Sequence, residues 1–372
     1  MAGIYIHIPF CRSRCTYCGF FSTTQLELRQ QYVDDVCQEM TLRGGTAETV
    51  DTIYLGGGTP SQLTPAQLGQ LFLYINKVYG ASNATEVTLE MNPDDITHEY
   101  VETLSQLPVN RVSMGTQTFD DRRLRFLNRR HTAAQVPEAV ERLRRAGISN
   151  ISIDLMYGFP GESIDDWQRD IEAALALNVE HLSAYSLIYE EGTPLYRQLQ
   201  QGLITETDED MSLRMYEMLI DRLTAAGYEH YEISNFSRPG FRSRHNSSYW
   251  QDVPYIGLGA AAHSYDGHYR SWNVSDLRRY MDAIEHGTIP CERELIDDDT
   301  HYNDRVTVAL RTCDGLDLSR LSDRYRRYCL DEAQRFLDNG LLRLDGNHLV
   351  LTRKGLFVSD YVMSSLIWVD DR

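Results

Sequence analysis

The stretch "GIYIHIPFCRSRCTYCGFFS", residues 3–22, runs from an alternating, β-branched strand into a loop carrying Cys11, Cys15 and Cys18 in the spacing C-x-x-x-C-x-x-C. Three thiols this close point to metal chemistry, yet Phe20 stands two residues after the third, where a fourth ligand could follow. Structural zinc sites of this kind are usually closed by four ligands. No fourth Cys or His lies near in sequence, since His7 belongs to the strand. A [4Fe–4S] cluster held by three thiolates instead leaves one iron open to an outside ligand.

Outward from this stretch, short β-branched runs alternate with helical patterns, the order of repeated βα units. The runs cover residues 3–8, 51–55, 86–90, 111–115 (with Arg111 at the strand edge), 151–155 and 181–187. Helical patterns cover 25–43, 64–79, 97–107, 132–146, 163–177 and 207–226. Thr64 is placed as an N-cap with Pro65 at the first helical position, and Gly147 ends another helix. Periodicity alone does not separate a barrel from a doubly wound sheet, but the unusual residues do collect at strand ends. The cysteines follow the first strand, "GGGTP" the second, Glu90 ends the third, Gln117 follows the fourth, and Asp154 lies near the end of the fifth. Ligand sites of parallel α/β folds form at the carboxyl ends of strands, so all five features should face one rim.

Beyond residue 236 the sequence becomes polar and turn-rich, with a helix near 275–286. From about 300 it reads helix, helix, two short strands joined through Asp345-Gly346-Asn347, and a last helix, the order of a small winged-helix-like domain. "GLGAAAH" (257–263) has the G-x-G-x-x-A pattern, with Asp276 near the spacing of a dinucleotide-site acid. The following segment is not helical and Asp276 begins a helix, so a tight turn that lets backbones pack closely is the better account.

The chain has 372 residues, enough for two or three domains, and 36 basic against 54 acidic side chains give 36 − 54 = −18. That charge argues against nucleic acid or an anionic membrane as the main partner. No apolar run approaches the ~20 residues that span a bilayer. The N-terminus lacks a secretory signal pattern, because Pro9 and the cysteines interrupt its hydrophobic run, so a cytoplasmic protein is expected. Cys37, Cys291, Cys313 and Cys329 are scattered and read as buried or half-buried small hydrophobes.

The cysteine spacing, with Tyr17 just before the last Cys, resembles the radical S-adenosylmethionine superfamily. That resemblance implies a [4Fe–4S] cluster on Cys11, Cys15 and Cys18 whose open iron is chelated by the amino and carboxylate groups of S-adenosylmethionine. Reductive cleavage of that cofactor gives a 5′-deoxyadenosyl radical in the superfamily, and the electron donor would be of the flavodoxin or ferredoxin kind. The glycine run 56–58 resembles the loop for the methionine end of the cofactor; without side chains its backbone can approach a ligand and offer N–H groups to a carboxylate.

"YIHIPFC", "GGGTPS", "LEMNPDD", "RVSMGTQTF", "IDLMYGFPGE" and "YEISNF" extend the resemblance to the subgroup of oxygen-independent coproporphyrinogen III oxidase and its chaperone-like relatives. The implied fold is α/β, a partial (β/α)6 TIM-like radical SAM barrel over 1–236, with a small, mainly helical, winged-helix-like C-terminal domain over 300–372. The cofactor contacts carry over onto Tyr5, Gly57, Gly58, Thr59, Glu90, Gln117, Arg129 and Asp154. The oxidases place a fourth cysteine where Phe20 stands and usually carry a longer segment before the cluster. Both departures favour the HemW-type heme chaperones, which bind heme and deliver it to an acceptor protein, over a tetrapyrrole oxidase. "HNSSYW" (245–250) matches a signature of those chaperones, so the segment 237–299 is assigned the heme site, with His245 as axial ligand and Tyr249 and Trp250 over the porphyrin. His7, His131 and His263 are the alternatives, each readable as a structural histidine.

Overall fold

Alternating residues on six strands face opposite ways, and in this chain the two faces have opposite chemistry. The computed structural model describes residues 2–45 and 49–369. Its parallel strands are β1 (Ala2–Ile8), β2 (Val50–Gly57), β3 (Glu86–Met91), β4 (Arg111–Gln117), β5 (Asn150–Tyr157) and β6 (His181–Ser186), adjacent in that order. Ile4, Ile6, Ile53, Leu55, Val87, Leu89, Val112, Met114, Ile151, Ile153 and Leu182 point outward and are buried. They pack under α1 (Arg29–Arg43), α2 (Pro65–Tyr79), α3 (His98–Leu104), α5 (Gln135–Arg145), α6 (Ile164–Ala176) and α8 (Glu209–Ala225). Burying each such side chain contributes ~1.5–3 kcal/mol, so this layer is the main hydrophobic term of the fold.

The inner face carries Tyr5, His7, Thr52, Tyr54, Thr88, Glu90, Arg111, Ser113, Ser152, Asp154, His181 and Ser183. A polar lumen of this kind needs partners for its groups, and it leaves space at the strand ends for a ligand. The helix starts are as the sequence indicates. Thr64 and Gln67 form a reciprocal capping box at α2, and Gly147, with φ +87, follows the end of α5.

The strands do not close on themselves. Past β6 the sheet continues antiparallel through β8 (Asn235–Ser237) and β7 (Glu229–Glu232); past β1 it continues through β9 (Tyr255–Leu258), β10 (His263–Tyr265), β11 (Tyr269–Asn273) and β12 (Cys291–Leu295). The polar stretch after residue 236 is therefore sheet, together with α9 (Arg244–Trp250), not a run of turns, and the helix expected near 275–286 is α10 (Leu277–Glu285). Three short helices are also absent from the sequence reading: α9, α4 (Asp121–Phe126) and α7 (Pro194–Gln200). "GLGAAAH" does make the tight turn: Gly259 has φ +95, and a Cβ there would lie 2.3 Å from the Tyr32 hydroxyl.

The C-terminal part has its own apolar cluster, built on α11 (Asp298–Ala309) and α12 (Asp323–Asp338). β14 (Leu342–Asp345) and β15 (His348–Leu351) form its hairpin, with the two-residue β13 (Leu316–Asp317) beside β15, then α13 (Arg353–Leu356) and α14 (Ser359–Ser365). Cys37 and Cys329 are buried as small hydrophobes, but Cys291 and Cys313 are exposed, on edge strand β12 and in the turn after α11. No helix among the described residues is long and apolar enough to cross a membrane.

Candidate functional site

Strand β1 delivers the chain to Pro9 at the rim, and the cysteine loop is closed at its neck by a short ladder. Cys11 N–H donates to Thr23 O at 2.9 Å and Thr23 N–H to Pro9 O at 2.7 Å. Midway, Thr16 ties the loop to the end of α4, donating from N to Leu127 O at 3.1 Å and from Oγ1 to Phe126 O at 3.1 Å. Its own carbonyl accepts from Leu195 N–H of α7 at 2.9 Å. Three free thiols are thereby held at the mouth of one cavity of about 480 Å³. Burial pushes the thiols of Cys11 and Cys18 up, Cys18 to about 11. Among the described residues no three His, Cys, Asp or Glu side chains converge to hold a single metal ion.

Of the residues singled out from the sequence, Cys11, Cys15, Cys18, Gly57, Gly58, Thr59, Glu90, Gln117, Arg129 and Asp154 line this cavity together. Tyr5 lies beneath it, stacked on Tyr54 at 6.2 Å with its hydroxyl 3.1 Å from His7 Nδ1. The glycine run is required by its own neighbours: a Cβ on Gly57 would meet the His7 ring at 2.5 Å, and one on Gly58 the Pro9 backbone at 2.7 Å. Its amides are also engaged. Gly57 N–H donates to Glu90 Oε2 at 3.1 Å and Gly58 N–H to Ile8 O at 2.9 Å. What this loop can offer a ligand is therefore carbonyl oxygen and the Thr59 hydroxyl, not the N–H groups that a glycine run first brings to mind.

Glu90 also accepts from Tyr54 Oη at 2.7 Å, and burial pushes its pKa up to about 7. Asp154, 3.5 Å from Ser113 Oγ, is raised by burial to about 6 against the pull of neighbouring serines, Arg111 and Arg129. Gln117 follows a bulge in β4 and has φ +67, a strained conformation that turns its amide toward the cavity. The cluster of arginines around residue 125 sorts cleanly. Arg123 pairs with Glu162 and Asp166, and Arg130, at the cavity wall, with Asp94 and Asp95, whereas Arg129 lines the cavity without a carboxylate partner. Arg129 donates to Asn92 Oδ1 and Gly115 O, each at 2.6 Å, and to Cys15 Sγ at 3.5 Å, and its buried Nε is left without a partner.

Asn92, Ser113, Met156 and Tyr185 are among the further lining residues and were not singled out from the sequence. Ser113 and Met156 lie two residues from Gly115 and Asp154 on the same strand faces, so inward parity was the signal for them. Phe20 is 69% exposed at the rim, beside Ile188 at 71%.

His245 lies apart from this cavity. It sits in the first turn of α9, fully buried, with Nδ1 2.8 Å from Thr52 Oγ1, Nε2 2.8 Å from Tyr249 Oη and its ring stacked on Tyr54 at 5.1 Å. Burial, and then the positive charge of Arg111, push its pKa down to about 3, so it is neutral. Both ring nitrogens are engaged, and neither presents a lone pair outward. Tyr249 packs edge-on to His245 and Tyr255, and Trp250 lies under Arg311 at 5.4 Å with its buried Nε1 unpartnered. His7 is engaged at both nitrogens. His131 lines the cysteine cavity with Nε2 3.1 Å from Thr116 O and Nδ1 unpartnered, and exposed His263 stacks on Trp272 at 6.0 Å.

The chain is similar to known proteins along its whole length. Residues 5–174 match the model of the Radical SAM superfamily and residues 296–358 that of the HemN C-terminal domain. The protein is 35% identical to the heme chaperone HemW of Mycobacterium tuberculosis strain H37Rv, over 98% of this chain and 94% of that protein. It is 34% identical to heme chaperone HemW of Bacillus subtilis strain 168, over 99% of both. Among solved structures, the coproporphyrinogen III oxidase HemN of Escherichia coli, a radical SAM enzyme, shares the fold with a TM-score of 0.85 at 22% identity, over 98% of this chain and 90% of that one.

Proposed function

The chain belongs to the HemW heme chaperone family of the radical SAM superfamily, and from that premise we propose that it binds heme and passes it to an acceptor protein. The observation that carries the reading is kinship along the whole length, C-terminal domain included, with proteins named as heme chaperones. Phe20 supports it. An exposed phenyl ring stands where the oxidase pattern needs another thiolate.

The site supports a [4Fe–4S] cluster on Cys11, Cys15 and Cys18: three free thiols meet at one cavity and no disulfide competes for them. They do not converge on a single-ion site, and a cluster takes its thiolates on separate irons. When bound, such a cluster supplies an iron open to the aminoacyl end of S-adenosylmethionine. Around that position the Gly57–Gly58 backbone and Thr59 would accept from an ammonium, Arg129 Nε would meet a carboxylate, and Glu90, Gln117 and Asp154 would hold hydroxyl and base edges. Tyr5 would act from below by fixing Tyr54 and His7. An electron donor of the flavodoxin or ferredoxin kind, a cytoplasmic location and no nucleic-acid partner complete the reading.

We assign residues 1–236 to the cluster and cofactor, 237–299 to heme and connection, and 300–372 to a docking and packing domain; the separate apolar cluster of the last part supports its boundary. Axial ligation by His245 belongs to the reading only with a rearrangement that releases Thr52 and Tyr249.

Anaerobic reconstitution should give about four iron and four sulfide per chain, lost in Cys15→Ala. Titration with heme should give a saturable Soret change and transfer to apomyoglobin. Loss of Soret binding in His245→Ala with fold intact would support the rearranged ligand, and equal binding would remove it. Conversion of coproporphyrinogen III to protoporphyrinogen IX with S-adenosylmethionine and reductant would overturn the chaperone reading in favour of an oxidase.

A further inference from the structure

Strand β2 carries two contacts to His245 on its inner face. Thr52 Oγ1 stands 2.8 Å from Nδ1, and the Tyr54 ring lies against the imidazole with centroids 5.1 Å apart and planes 24° apart. The hydroxyl of the same tyrosine donates to Glu90 Oε1 at 2.7 Å. Tyr54 is 8% exposed, so one buried side chain touches the wall of the cysteine cavity through its hydroxyl and the signature histidine through its ring. Gly56 leaves room for this arrangement: a Cβ there would lie 2.7 Å from Tyr54 Cε1 and 3.0 Å from Glu90 Oε1.

The other contacts of His245 do not lead to the cavity. Its Nε2 meets Tyr249 Oη within α9, and the N–H groups of Arg244 and His245 donate to the two carboxylate oxygens of Glu86, each at 2.9 Å. Glu86 opens β3 and Glu90 lies near its end. Glu86 therefore fixes the backbone of α9, whereas Tyr54 joins its imidazole to the cavity.

We propose that Tyr54 is a positioning residue that links the two sites: a ligand whose donors engage Glu90 in the cavity holds the Tyr54 hydroxyl in place, and with it His245 in its buried position. The inference rests on the S-adenosylmethionine and heme readings of these sites and adds how one regulates the other. Its direction follows from the chemistry of the carboxylate. The oxygens of Glu90 accept one bond each, from Tyr54 and from Gly57 N–H, and each keeps a second lone pair for a ligand donor. A cationic ligand adds to these bonds without replacing them and favours the ionised carboxyl, to which a phenol bonds more strongly than to a neutral acid. With the cavity filled, His245 is held. With it empty, the imidazole is freer to leave Thr52 and Tyr249, the rearrangement that axial ligation needs. By reciprocity, ligation of heme through His245 weakens binding in the cavity by the same factor.

The test is amide hydrogen exchange on reconstituted, anaerobic protein with and without S-adenosylmethionine, at concentrations that calorimetry shows to be saturating for each variant. In wild type, exchange across α9 should slow about fivefold when S-adenosylmethionine is added. Tyr54→Phe keeps the stacked ring and removes the hydroxyl, so it should bind S-adenosylmethionine and lose that difference. A purely packing role would leave the difference in place, and that outcome overturns the inference. Wild type that binds S-adenosylmethionine with α9 unchanged, or exchanging faster, also overturns it; wild type that binds none overturns it together with the cofactor reading. Should Tyr54→Phe not fold, the wild-type comparison decides by location. Slowing confined to β2 and α9 upholds the link, and equal slowing in α12 of the C-terminal part marks a general tightening and overturns it.

Discussion

His245 places a good metal-ligating side chain where packing uses both of its nitrogens, and this makes stability depend on pH in a defined direction. An unfolded histidine protonates near pH 6.5 and this one near 3, so between those values the unfolded state binds more protons and stability is lost as pH falls. The loss attributable to it between pH 7 and 4.5 is about 2–3 kcal/mol. Glu90 and Asp154, raised by burial, act oppositely over part of that range, so the contribution is read as a difference. His245→Gln should be less stable than wild type at pH 7 by denaturant unfolding, and the gap should narrow by that amount at pH 4.5. Residue chemistry of this kind was only partly legible in the sequence. Cysteine spacing and acids at strand ends announce themselves, whereas Arg111 read as a strand edge because nothing local to a strand reports that its inner face is polar and buried.

At the scale of elements, the cysteine loop is shaped less by its own sequence than by what anchors it. Thr16 bonds α4 and α7, two short helices that carry weak periodicity and so escape a sequence reading. Removing its hydroxyl leaves Phe126 O without that donor and should cost about 1 kcal/mol. Thr16→Val should therefore lower the iron retained after desalting, with the far-ultraviolet spectrum unchanged; full retention would mean that the cysteines themselves set the loop. The six parallel strands and six of the helices packed on them were legible because β-branched runs and amphipathic patterns are long and locally decided. The extension over β9–β12 was not, since its short strands are fixed by pairing, β9 parallel to β1 and β10–β12 antiparallel to their neighbours. β12 shows the extreme: all five of its residues are exposed.

For the whole molecule the decisive question is how the C-terminal part, which has its own apolar cluster, is held to the sheet. Asp252, just after α9, is a junction. It accepts from Tyr265 Oη at 2.6 Å on β10, and from His301 Nε2 at 2.8 Å and Arg305 Nη2 at 2.9 Å on α11. Burial would raise its pKa, but these three donors outweigh it and hold the carboxyl below its usual value. With φ +62 the position is left-handed, a conformation asparagine also tolerates, so Asp252→Asn removes the charge with little backbone strain. Half-buried Arg305 then loses its counter-charge and His301 its carboxylate acceptor, at a cost of about 2–3 kcal/mol. The wild-type advantage should be full above about pH 4 and fade below it, where aspartate protonates in both states. Because the C-terminal part has its own apolar core, the loss should appear as an earlier, separate unfolding step of residues 300–369 in calorimetry and limited proteolysis. A single, unshifted transition would mean instead that the packing of α11 against α9 holds the two parts together without this junction.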